Sequence, residues 1–183
     1  MKEKTSMPFY LTKAQEVHAE MLSEVMKTTF CQTYANFSSE QGMQAYVNEQ
    51  FGVEQVLALI KNPDITIFLA FVGPELAGYS ILHFNEDCPY LKGPGQIKFD
   101  KNYVLDRFQG MGVGKALFQI RYNYARNFGL SVGWLRVSHT NAKAIEYHQK
   151  NGFKIVGEKM MDLIPFPNRP YQDFDYIMYR EIE

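Results

Sequence analysis

The segment Gln109-Gly110-Met111-Gly112-Val113-Gly114-Lys115 places three glycines within seven residues, between an extended stretch and an amphipathic one. A helix that begins at such a loop leaves its first N–H groups without internal partners, and glycine lets an anion approach the backbone closely. Phosphate is the chemistry this favours. Spacing disfavours two common versions of it. A Walker A loop puts four residues between its glycine and the Gly-Lys pair and then Ser or Thr; here three residues separate Gly110 from Gly114, and Ala116 follows Lys115. A dinucleotide fingerprint needs glycine where Lys115 stands and opens a parallel βαβ unit early in the chain. A turn that merely uses small residues is the bland alternative.

The elements around this loop follow from periodicity. Thr12 and Gln15 fit a capping box for a helix over about 14–29, along which Val17, Met21 and Val25 recur at four-residue spacing. Ser38 and Gln41 repeat the capping signal before 43–51, and 53–60 continues as a further helical turn or two. Strands are expected at 65–72 and 78–84, forming a hairpin around Gly73-Pro74-Glu75, and at 97–105 after a Pro/Gly-rich loop. In that last strand, alternation sets Lys98, Asp100, Asn102 and Val104 on one face. A helix from about 112 ends at Gly129, a strand covers 132–138, Asn141 caps a helix over 142–150, and strands at 153–160 and 174–182 flank a loop with three prolines, 162–172. The result is a mixed α/β domain, mainly antiparallel sheet flanked by helices.

Composition narrows the function. The 183 residues carry 19 basic and 20 acidic side chains, a formal charge of −1, which gives no electrostatic footprint for nucleic acid or an anionic membrane. The longest apolar run, 65–72, is far short of a bilayer span, and residues 1–10 lack the apolar core of a signal peptide. A cytoplasmic protein is the expectation. Cys31 and Cys88 are read as free thiols, without metal-ligand spacing, so no metal is expected.

The order strand, Gln-x-x-Gly-x-Gly, helix, strand, Asn-x-x-Ala, Gly-Phe over roughly 97–160 resembles the GNAT superfamily of acetyl-CoA-dependent N-acetyltransferases. Gln109, Gly112 and Gly114 match its pyrophosphate motif, and Asn141, Ala144, Ile145, Gly152 and Phe153 match its second motif. Thr29-Phe30, Tyr34, Met43, Tyr46 and Ala77-Gly78-Tyr79 are similar to PaiA-like polyamine acetyltransferases. The resemblance implies one GNAT domain over 1–183, with a helical acceptor-side part (1–62) and a sheet carrying the acetyl-CoA site (65–183). It further implies transfer of acetyl from acetyl-CoA to a small primary amine such as a polyamine, by direct attack in a ternary complex. Acetylation of a protein or peptide amine, and a non-catalytic acyl-CoA-binding module, are the rivals. Homodimers are common among such proteins.

Site roles carried by the resemblance are specific. Backbone at Tyr103, Val104 and Leu105 would hold the pantetheine arm and polarise the acetyl oxygen, and Gly110, Met111, Gly112, Val113, Gly114 and Lys115 would cradle the pyrophosphate beside Gln109 and Asn141. A primary amine with a pKa of about 10.4 must lose a proton before attack, and Asp100, aligned with the family's carboxylate or histidine, is the candidate base. Tyrosine usually stands seven positions after the Asn as proton donor. Here that position is His148, with Tyr147 one step earlier, so either His148 donates as imidazolium or through water, or Tyr147 packs over the pantetheine. Phe30, Tyr34, Tyr46, Tyr79 and His83 are the candidate acceptor-side residues, with Glu40, Glu49, Glu54, Glu86 and Asp87 as scattered charges near them.

Overall fold

A computed structural model describes residues 8–34, 40–160 and 174–183. Ser38 and the proline loop 162–172 lie outside the described residues. Strands β1 (Phe9–Lys13), β2 (Ile65–Val72), β3 (Glu75–His83), β4 (Gln96–Val104), β5 (Val132–Ser138), β6 (Lys154–Met160) and β7 (Phe174–Glu181) form one sheet in the order β1-β2-β3-β4-β5-β7-β6. Helices α1 (Ala19–Tyr34), α2 (Glu40–Gln50) and α3 (Val53–Lys61) precede β2; α4 (Val113–Asn127) joins β4 to β5, and α5 (Ala142–Lys150) joins β5 to β6. Every pairing is antiparallel except β4 with β5. No helix among the described residues is long and apolar enough to cross a membrane.

The apolar run of β2 from Ile67 to Val72 is buried because both faces of the sheet are covered. On one face Tyr79 bonds Thr29 of α1. On the other, Phe68, opposite Ser80 in the ladder, meets Tyr124 of α4 edge-on. Tyr79 and Ser80 are neighbours in a strand and point to opposite faces, so α1 and α4 sandwich the sheet.

Three features differ from the sequence reading. Phe9–Lys13 is an edge strand paired with β2, where the sequence reading placed no strand. Its five residues are too few for alternation to declare itself. The capping box is Gln15 with His18, whose Nδ1 accepts the Gln15 N–H at 2.9 Å, and α1 begins only at Ala19 after a single 3-10 turn; Thr12 belongs to β1. The third is a bulge in β4. Ile81 lies opposite Lys101 and Leu82 opposite Phe99, leaving Asp100 as the extra residue. The bulge reverses the alternation, so Lys101 and Phe99 occupy opposite faces, and Asp100 groups with Lys98, Lys101 and His83 and not with Val104.

β4 and β5 pair only through Gln96–Lys98 with Val132–Trp134. Beyond them the strands diverge. At the crotch the Phe99 ring lies against Gly133, where a Cβ would come within 2.5 Å of Phe99 Cε2. Asn102 to Val104 on one side and Leu135 to Ser138 on the other are left with open edges toward each other.

Candidate active site

Peptide direction along β4 decides which groups face the opening. Leu105 N–H is given to Ala77 O at 2.9 Å, and the register pairs Tyr103 with Tyr79 and Val104 with Gly78. Successive peptide groups of a strand alternate sides, so those of Tyr103 and Leu105 face β3, and those of Asn102 and Val104 face the opening. Of the three positions expected to hold a donor through their backbone, Val104 alone is so oriented. Asn102 was missed, because an edge that pairs on one side only cannot be told from a doubly paired one in sequence. Gln109 lies below Val104, its Nε2 donating to Asp106 Oδ1 at 2.8 Å and to Val104 O at 3.4 Å.

The loop delivers the chain into α4 through Gly110 (φ 77°) and Gly112 (φ 85°), a conformation that side chains resist. No side chain caps α4, and a Cβ at Gly112 would meet nothing within 4 Å. The first-turn N–H groups of Val113, Gly114 and Lys115 are thus approachable. Lys115 is exposed, whereas the Val113 side chain is core and Met111 packs partly into it. Asn141 has a structural task, its Oδ1 accepting Ala144 N–H at 3.1 Å to cap α5.

Buried polar atoms without a partner gather around the same opening. Among the described residues they include Asn102 Oδ1, Arg121 Nε and Nη2, Tyr147 Oη and His148 Nδ1. They belong to β4, α4 and α5, the elements that border the divergence. Buried polar groups are almost always bonded, so such a set marks where a polar ligand completes the structure. Arg121 was missed in sequence: on α4 it reads as one more exposed cation, yet it is 1% exposed, with its guanidinium 4.7 Å from the Phe99 ring and 5.0 Å from the Phe118 ring. Burial lowers its pKa to about 10, opposed by Tyr147 and Asp100, and it stays a cation at neutral pH.

That charge settles one expectation. Burial, then Arg121, lowers the His148 pKa to about 4, so His148 is neutral at pH 7 and cannot donate as imidazolium. Burial pushes the Tyr147 phenol up, against the opposing pull of Arg121. Tyr147 therefore keeps its proton at neutral pH; its ring packs edge-on to Phe118.

On the α1 face Asp100 is heavily engaged. Lys101 Nζ is 2.6 Å from it, and Lys98 Nζ and His83 Nε2 are each 3.5 Å away. His83 Nδ1 lies 3.0 Å from Glu86, which also holds Lys98 at 2.6 Å. Burial alone would raise the Asp100 pKa, but Lys101, His83 and Lys98 outweigh it and hold the carboxyl well below the usual range. A carboxylate so held is a poor proton acceptor, which corrects the expectation of Asp100 as base. Glu40, Glu49 and Glu54 are exposed, so Glu86 is the carboxylate that joins Asp100. Phe30 stacks among Tyr34 (4.6 Å), Tyr46 (5.2 Å) and Phe51 (5.3 Å), Tyr34 bonds Tyr103, and the Tyr103 and Tyr79 rings lie 5.9 Å apart. Tyr79 is buried and Phe30, Tyr34 and Tyr46 partly so; together they form one aromatic wall beside the Asp100 cluster.

The family model described as Acetyltransferase (GNAT) family matches residues 26–153. A spermidine N(1)-acetyltransferase of Thermoplasma acidophilum is 24% identical over 149 residues, 79% of this chain and 88% of that protein. An uncharacterised N-acetyltransferase of Lactobacillus delbrueckii subsp. lactis is 24% identical over 76% of this chain and 80% of its own length. In fold, the chain is similar to the PaiA N-acetyltransferase of Thermoplasma acidophilum in complex with coenzyme A, with a TM-score of 0.74 at 22% identity over 96% of this chain and 99% of that one.

Proposed function

The chain belongs to the GNAT acetyltransferase family and is an acetyl-CoA-dependent N-acetyltransferase; from that premise we propose that its acceptor is the primary amine of a small polycation such as a polyamine. The observation that carries the site is the divergence of β4 from β5 after Lys98, with unpartnered buried polar groups around it. The acceptor class draws support from the similarity to the spermidine acetyltransferase.

In this reading the Asn102 and Val104 peptide groups bind the donor's arm as a neighbouring strand would, and the Val104 N–H points at the acyl oxygen on which charge develops. The N–H groups of Val113 to Lys115 receive the pyrophosphate, aided by the α4 dipole. Asp100, Glu86 and His83 border the acceptor side on the α1 face, and the incoming ammonium gives its proton to water there before attack. The amine nitrogen then bonds the acyl carbon as the carbon–sulfur bond breaks. Tyr147 gives its proton to the departing sulfur and regains one from water; neutral His148 lines the wall.

Free-thiol release from acetyl-CoA tests this, with spermidine, spermine, a lysine-terminated peptide and a blank without amine. Release above the blank with the polyamines is expected. Release with the peptide alone would transfer the assignment to protein acetylation, and acetyl-CoA binding without release on any amine would leave an acyl-CoA-binding module.

A further inference from the structure

Arg121 has no evident task in moving an acetyl group. Its unpartnered nitrogens, Nε and Nη2, are the two that together form the side edge of a guanidinium, the fork that matches both oxygens of a carboxylate. The planar group is held by the Phe99 and Phe118 rings, so its orientation is fixed before any ligand arrives. Phe99 is the first β4 residue beyond the pairing with β5, which sets this cation at the crotch of the opening. The titratable groups beside it are Tyr147 and His148 from α5, and Asp100 of β4 acts on it from the α1 side of the sheet. Asp100 is committed to Lys98, Lys101 and His83, and the other two carry no charge at neutral pH. A buried guanidinium with an idle fork is costly unless a ligand completes it.

We propose that Arg121 is the receptor for a carboxylate at the end of the acyl chain, so that the site accepts acyl-CoA donors of the succinyl kind besides acetyl-CoA. The acyl source is preferred to the acceptor because Arg121 projects from α4, the helix that carries the glycine loop, whereas Tyr34, Tyr79 and His83 belong to the α1 side. Transfer balances as for acetyl: the carbon–nitrogen bond forms, the carbon–sulfur bond breaks, sulfur takes a proton, the amine loses one, and the distal carboxylate stays bound to Arg121 throughout. The inference rests on the donor site of the proposed function and not on the identity of the amine.

Calorimetric binding of succinyl-CoA and butyryl-CoA, which differ by a terminal carboxylate against a methyl, tests it without turnover. The wild type is expected to bind succinyl-CoA about tenfold or more tightly than butyryl-CoA, as charge-assisted hydrogen bonds require. Arg121→Met should erase that preference. Equal binding of the two thioesters by the wild type, which needs no variant to fold, would overturn the proposal. So would a preference that survives in Arg121→Met, or a preference confined to carboxylate-bearing amines such as lysine over cadaverine in thiol release. Loss of thiol release from acetyl-CoA with every amine, by contrast, would count against the proposed function and leave the binding result standing.

Discussion

Lowering the pH from 7 to 5 should destabilise the native protein through His148, and His148→Phe should remove that part of the acid sensitivity. The native imidazole has a pKa of about 4 against about 6.5 in the unfolded chain. The unfolded state therefore binds a proton first, and the stability this site contributes, complete above pH 6.5, is lost as the pH falls toward 4. Each tenfold in proton affinity corresponds to about 1.4 kcal/mol, so the loss is about 2 kcal/mol by pH 5 and about 3 kcal/mol when the native group also protonates. Two causes act, burial first and Arg121 second, and Arg121→Met should shrink the effect without abolishing it. Urea denaturation of wild type and His148→Phe at pH 7, 6 and 5 reads it directly, because carboxylates that titrate in both proteins cancel in the difference. A stability difference that stays flat across that range, or that moves in favour of the wild type as pH falls, would refute the reasoning.

Other substitutions separate structure from chemistry. Tyr147→Phe removes one hydroxyl, and kcat should fall about a hundredfold with KM for acetyl-CoA unchanged, as for loss of a general acid; steady-state kinetics showing a change under about threefold would exclude that role. Gly112→Ala and Gly129→Ala both place a Cβ at positive φ (85° and 69°) in open space, so each should cost about 1–2 kcal/mol in urea. Only Gly112→Ala should also weaken acetyl-CoA binding in calorimetry. Asn141→Ala deletes the α5 cap and should cost about 1 kcal/mol of stability, with kcat little altered.

Much of the architecture was legible where the chain repeats a pattern long enough to read. The apolar run of β2, the hairpin around Gly73, the glycine loop and the Asn141 cap all appear where their residues imply. What escaped depends on neighbours. The bulge at Asp100 is a mismatch of register between two strands, and no feature of either strand alone records it; it moved Asp100 off the face of Val104. Arg121 looks like any helical arginine until Phe99 and Phe118 close over it. His148 matched a family position by count, but its charge state is set by burial and by Arg121, 27 positions earlier in the chain. Tyr103 and Leu105 were one residue out of phase with the open edge, since the side a peptide faces is fixed only by the partner strand.

The most direct test of the donor site is residue-resolved amide hydrogen exchange with and without acetyl-CoA. The Asn102 and Val104 amides, which face the opening, should slow when the donor binds, together with those of Val113 to Lys115. The Tyr103 and Leu105 amides, already directed to β3, should not change. Protection that skips Asn102 and Val104, or that appears equally on all four of these positions, would contradict a donor lying along the unpaired edge.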